Sequence, residues 1–142
     1  MTAPERRYLS SDEDSGRWAS FPFRDGDIVI STRSKHGTTW MQMICALLVF
    51  GTPELPEPLG ELSPWLDLRV PPVAEKLAHL EAQTHRRFIK THLPVDALVY
   101  SPRAKYIYIG RDGRDVLWSF HNHHLTGNAD YYAVLNDTPG PS

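Results

Sequence analysis

The sequence predicts an α/β domain, a parallel sheet with flanking helices. Three short apolar runs, at 28–32, 87–90 and 105–109, alternate with stretches whose apolar residues recur at helical spacing. Strands and helices that alternate this way make parallel sheets with right-handed crossovers. Such sheets place ligands beyond the carboxyl ends of their strands. Three segments rich in basic, hydroxyl and glycine residues fall at those ends: 34–39, 91–94 and 110–115.

Residues 1–20 are polar and rich in Asp and Ser, and read as a mobile arm whose end is docked by Trp18 and Phe21. The remainder, 21–142, reads as one domain. Arg24-Asp25-Gly26-Asp27 is a turn feeding the first strand, 28–32. A helix over 38–50 follows, with Trp40, Met43, Ile44, Leu47 and Leu48 as its expected buried face and Gly51 as its stop. Residues 52–64 carry four prolines and read as an extended surface loop, with Trp65, Leu66 and Leu68 packing back. Pro71 or Pro72 opens a second helix with Val73, Leu77 and Leu80 on its inner face. Strands at 87–90 and 105–109 come next, and Asp112 or Gly113 starts a third helix running to about Leu125, ended by Gly127.

A chain of 142 residues is long enough for one core. Its net charge of −2 gives no electrostatic reason to expect nucleic acid or an anionic membrane as partner. Basic residues are instead local, at Arg33/Lys35, Arg86/Arg87/Lys90 and Arg111/Arg114, which suits a small anionic ligand. The single cysteine, Cys45, has no internal partner for a disulfide and falls in an apolar helix, where it reads as a small buried hydrophobe. The N-terminus lacks the apolar stretch of a secretory signal, and the longest apolar run, 44–50, is far too short to span a bilayer. The expectation is a cytoplasmic protein without membrane insertion.

Behind the first strand lies Ser34-Lys35-His36-Gly37-Thr38-Thr39-Trp40. A strand, a small-residue turn and an apolar helix together form an anion cradle, because the turn exposes backbone N–H groups and the helix N-terminus points at the same spot. Lys35 adds a mobile charge, and Thr38 and Thr39 add hydroxyls. The plainer reading is a strand-to-helix turn with Thr38 or Thr39 as N-cap and Trp40 as core. A nucleotide-triphosphate P-loop requires two glycines and a Gly-Lys-Ser/Thr end, whereas Lys35 here precedes the lone glycine of the turn.

The second segment is Lys90-Thr91-His92-Leu93-Pro94. Lys90 and His92 share one face of the strand, and a neutral imidazole takes a hydroxyl proton at physiological pH. Its alternative role is a hydrogen-bonded structural histidine. In the third segment, Gly110-Arg111-Asp112-Gly113-Arg114-Asp115, a strand end and a helix start present Arg111 to an anion, with Ser119 eight residues on. The bland reading there is capping by Asp112 or Asp115 with surface ion pairs. His121, His123 and His124 lack the spacing of a tetrahedral zinc site and read as a wet helix face or substrate mouth, so no metal is expected.

Together, in this order, the three segments resemble the cytosolic-type sulfotransferases that use 3′-phosphoadenosine 5′-phosphosulfate (PAPS) as donor. The likeness covers about residues 21–125. It implies a P-loop-like sulfotransferase fold in which Lys35, His36, Gly37, Thr38 and Thr39 hold the 5′-phosphosulfate and Trp40 stacks on adenine. Arg111 and Ser119 hold the 3′-phosphate. His92 is then the general base, with Lys35 and Lys90 as catalytic cations, and the acceptor is a small molecule: a phenol, another alcohol, a glycolipid or an amine. Departures are Ser34, where the family commonly has proline, and His36, where it has serine. Residues 126–142 carry nothing like the family's Gly-rich basic segment over the 3′-phosphate. The expectation is therefore the N-terminal portion of the domain, with little transfer by itself. Two rival readings are a non-catalytic remnant that binds adenosine 3′,5′-bisphosphate or nothing, and an ATP-using P-loop phosphotransferase.

Overall fold

The structure is a computed structural model describing residues 1–126. Three parallel strands, β1 (Ile28–Thr32), β2 (Phe88–Thr91) and β3 (Lys105–Ile109), lie in the order β2-β1-β3. Ile28 is in register with Phe88 on one side and Lys105 on the other. Every residue of β1 is buried, as a central strand flanked on both edges and covered on both faces must be. Side chains alternate across the sheet. Val29 and Ile89 face a core with Trp18, Phe21, Phe23, Leu66 and Leu80. Ile28, Ile30 and Phe88 face the other way, onto Cys45, Ala46 and Leu62.

Among the described residues four α-helices accompany the sheet: α1 (Thr38–Phe50), α2 (Leu59–Leu62), α3 (Val73–Ala82) and α4 (Gly113–Leu125). The α1 boundaries are those expected, but its inner face is not. Thr38, Gln42, Cys45 and Ala46 are buried, while Met43, Ile44 and Leu47 are exposed and Trp40 and Leu48 are about 80% exposed. Both sets obey helical spacing because the helix is apolar nearly all round. Size decides between them: Cys45 and Ala46 let the helix approach the strands closely, and the Gln42 amide donates to the Ser63 carbonyl at 2.8 Å.

The proline-rich segment is not wholly extended, since α2 forms within it and buries Leu62. Helix α3 starts after Pro72 and turns Leu80 inward as expected, together with Lys76, which a reading by apolar residues alone passes over. Helix α4 has no buried residue and is capped by Asp112, whose side chain accepts from the Arg114 N–H at 2.9 Å. Gly127, the expected stop, lies outside the described residues.

The polar arm is hydrogen-bonded along its length. Thr2 pairs with Tyr100, the Arg6 N–H donates to the Asp96 carbonyl at 3.0 Å, and Ser15–Ser20 forms a 3₁₀ turn capped by Asp14. Arg87 is not a ligand-facing cation as its sequence cluster suggests. It is buried in a two-pronged pair with Asp27, at 2.9 and 2.5 Å, and lies over the Phe21 ring. A guanidinium removed from water needs such a partner.

Candidate active site

The carboxyl ends of β1, β2 and β3 open into a cleft of about 1160 Å³. That exceeds the ~300–1,000 Å³ of a site for one drug-sized ligand, so there is room for two. Its walls include Lys35, Gly37, Thr38, Thr39 and Trp40 from the first segment, Lys90 and His92 from the second, and Arg111 and Ser119 from the third. Nine of the ten expected site residues thus meet in one place. His36 is the exception on the wall: its Nδ1 lies 2.9 Å from the Ser34 carbonyl, folded back on the loop.

The first loop has the backbone of an anion nest. Lys35 sits at φ +65° and Gly37 at φ +95°, both left-handed. Gly37, not Thr38 or Thr39, is the N-cap of α1, and it offers no side chain to the helix's first N–H groups. These donors are left for a ligand at a helix N-terminus. Arg111 ties the third segment to the first, its Nη1 donating to the Lys35 carbonyl at 3.0 Å. That bond steadies the left-handed lysine and leaves other guanidinium N–H groups for an anion. The Thr38 hydroxyl is hydrogen-bonded to that of Thr32, so one proton of this hydroxyl pair remains for a further acceptor. Trp40, expected as core on the plain reading, instead lies exposed at the cleft.

Around His92 the imidazole is held in one orientation. Its Nδ1 is 2.6 Å from the Thr32 carbonyl, an acceptor only, so Nδ1 carries the proton and Nε2 keeps its lone pair. The Arg33 Nη1 donates to the His92 carbonyl at 2.8 Å and fixes the backbone. Burial lowers the His92 pKa, opposed by the Thr32 bond and aided by neighbouring Lys90. Burial likewise lowers the Lys90 pKa, against the pull of Asp67. The Trp65 ring meets His92 edge-on at 4.7 Å and lies 5.3 Å from the Lys90 Nζ.

The outer wall is formed by Gly60, Glu61, Trp65, Val70, Lys76 and His79. Tyr8 and Phe21 pack in the core around Trp18 and do not line the cleft. His123 and His124 do reach the cleft, from the last turns of α4. Sequence reasoning missed Thr32, Lys76 and Asp67. Only Asp67 left a trace, as an acid in an otherwise apolar Trp-Leu-Asp-Leu stretch.

Comparison with known proteins gives the family and the fold. A glycolipid sulfotransferase of Mycobacterium tuberculosis is 47% identical over 134 residues, covering 94% of this chain and 41% of its own length. Sulfotransferase 1A1 of Rattus norvegicus is 35% identical over 117 residues, covering 78% of this chain and 40% of its own. The chain thus spans about two-fifths of the length of these curated relatives. Retinol dehydratase, solved with retinol and PAP, shares the fold with a TM-score of 0.58 at 22% identity, over 77% of this chain and 42% of that one. The sulfotransferase domain model matches residues 25–136, and the chain belongs to that family.

Proposed function

We propose that this chain carries the donor cradle and the base of an enzyme that moves a sulfuryl group from PAPS to an acceptor hydroxyl. The single observation that carries the reading is the His92–Thr32 bond, which aims a basic nitrogen into the same cleft as the Lys35–Thr39 cradle. The residues fit the donor. An uncapped helix N-terminus, two left-handed residues and the Lys35 amine suit a phosphosulfate. Exposed Trp40 offers a ring face for adenine, and Arg111 with Ser119 offers donors for a 3′-phosphate.

The donor supplies an activated sulfuryl group and leaves as adenosine 3′,5′-bisphosphate. His92 Nε2 takes the acceptor proton as the new oxygen–sulfur bond forms and the sulfur–oxygen bond to the phosphate breaks. Lys35 offsets charge on the departing phosphate and Lys90 steadies the sulfonate oxygens. Such in-line displacements are catalysed mostly by positioning and charge stabilisation. The acceptor we favour is a glycolipid hydroxyl. The name of the mycobacterial relative supports it, as does an outer wall combining the Trp65 face with Glu61, Lys76 and His79. We place the reaction in the cytoplasm, where a lone cysteine, Cys45, is kept reduced.

The test is labelled-sulfate transfer from PAPS to glycolipid, made with this chain extended to the length of its relatives. His92→Ala is expected to lower the rate by ~10²–10⁴-fold, the share of positioned acid–base catalysis, with donor affinity kept within about twofold. An undiminished rate removes His92 as the base.

A further inference from the structure

One carboxyl group near His92 has no part in the chemistry above. Asp67 is wholly buried in the loop between α2 and α3. Its Oδ1 accepts from Trp18 Nε1 at 3.0 Å and its Oδ2 from Trp65 Nε1 at 2.7 Å. Trp18 is anchored in the main core, against Phe21 and Phe23. The other face of this arrangement is the reaction centre, because the Trp65 ring abuts both His92 and Lys90. We propose that Asp67 is a positioning residue, clamping Trp65 between the core and the cleft so that its ring holds His92 and Lys90 in place.

The surrounding bonds show a segment built to be rigid. Lys76 Nζ donates to the carbonyls of Trp65 at 2.6 Å and Leu68 at 2.5 Å. Arg17 donates to those of Leu68 at 2.7 Å, Arg69, and Pro71 at 3.0 Å. The Lys90 N–H donates to the Pro64 carbonyl at 3.2 Å, which aligns Trp65 beside the end of β2. Burial and neighbouring Arg17 pull the Lys76 pKa down to about 7, yet even a neutral amine has the two N–H groups these carbonyls need. Backbone clamps alone leave the indole free to turn about its side-chain bonds. The bond to Asp67 removes that freedom, and loose geometry near a reacting atom costs up to ~10²-fold in rate.

This inference rests on the reading of His92 as the base, but its first test does not. The charged groups facing His92 are Lys90 from β2, Asp67 from the loop and Arg33 from the donor loop. In Asp67→Asn one amide end must face an indole N–H, donor against donor, so one of the two bonds is lost. Trp65→Phe keeps a ring and the Trp18 bond but removes the other N–H. The histidine ring protons of the full chain are followed by NMR, with the His92 signals identified by their loss in His92→Gln. In the wild type the edge-on indole is expected to displace the His92 signals, and the Trp65 indole proton to exchange slowly. Both variants are expected to lose most of that displacement. Asp67→Asn, which also removes a charge that raises the His92 pKa, is expected to lower the titration midpoint further than Trp65→Phe does.

In transfer assays on the chain extended to its relatives' length, Asp67→Asn is expected to lower kcat about 10- to 100-fold, with affinity for adenosine 3′,5′-bisphosphate held within about twofold. Unchanged His92 signals and midpoint in Asp67→Asn overturn the proposal. Should that variant fail to fold, unchanged signals in Trp65→Phe do the same. Displaced signals together with full transfer by His92→Ala uphold the clamp and overturn the base.

Discussion

Replacing Gly37 by alanine isolates the backbone of the donor loop from everything else. Gly37 is at φ +95°, and a Cβ built there meets nothing within 4 Å. The substitution therefore introduces no clash, only left-handed strain, worth about 1–2 kcal/mol for an L-residue. A loop that relaxes to escape this strain must be driven back when an anion binds, so affinity falls by about 5- to 30-fold. Gly51 supplies a matched control at the other end of α1. It sits at φ +69°, and a Cβ there also meets nothing within 4 Å, but it lies away from the cleft. Gly51→Ala should lose stability of the same order, seen as a lower denaturation midpoint, and keep its affinity for adenosine 3′,5′-bisphosphate in calorimetry. Gly37→Ala should lose both. Equal affinities in the two variants would refute the claim that the loop's left-handed backbone forms the cradle.

Three other expectations follow from the packing and the charges. Asp27→Asn breaks the buried pair with Arg87 and should cost about 3–5 kcal/mol in urea denaturation, the price of an uncompensated buried charge; a loss under 1 kcal/mol would show that Asp27 contributes little. Arg111→Ala should erase the preference for 3′-phosphorylated nucleotides over adenosine 5′-phosphosulfate, and equal binding of both by the wild type would remove Arg111 from the 3′ site. Because burial depresses the His92 pKa, the base stays neutral, and transfer persists, to a pH below the ordinary imidazole value. By linkage, the stability His92 contributes is complete above that ordinary value and is lost as pH falls through the lower folded one. An acid limb in the rate profile above the ordinary value would contradict this.

The places of the three candidate site segments were more legible in the sequence than the packing around them. Strand ends at Thr32 and Ile109, and one a residue short of Thr91, were readable because β-branched and aromatic runs stop at Arg33, Gly110 and His92. The three site segments followed from those stops. The face of α1 was not readable, because a helix apolar on all sides satisfies periodicity in two ways and only side-chain size near the strands chooses. Arg87 and Lys76 look like surface cations until Asp27 and the carbonyls of the 65–68 loop are brought to them by the fold. Asp67 is visible as an acid in an apolar stretch, but its bond to Trp18, 49 residues away, is not. Long-range pairing leaves no local pattern to read.

The central claim is that the three strand ends build one nucleotide site. Calorimetric titration of the chain with adenosine 3′,5′-bisphosphate tests it directly. Saturable binding at one site is expected, weakened about 10- to 150-fold in Lys35→Ala by loss of a charge-assisted bond of ~1.5–3 kcal/mol. Absence of binding, or equal affinity in wild type and Lys35→Ala, would contradict it.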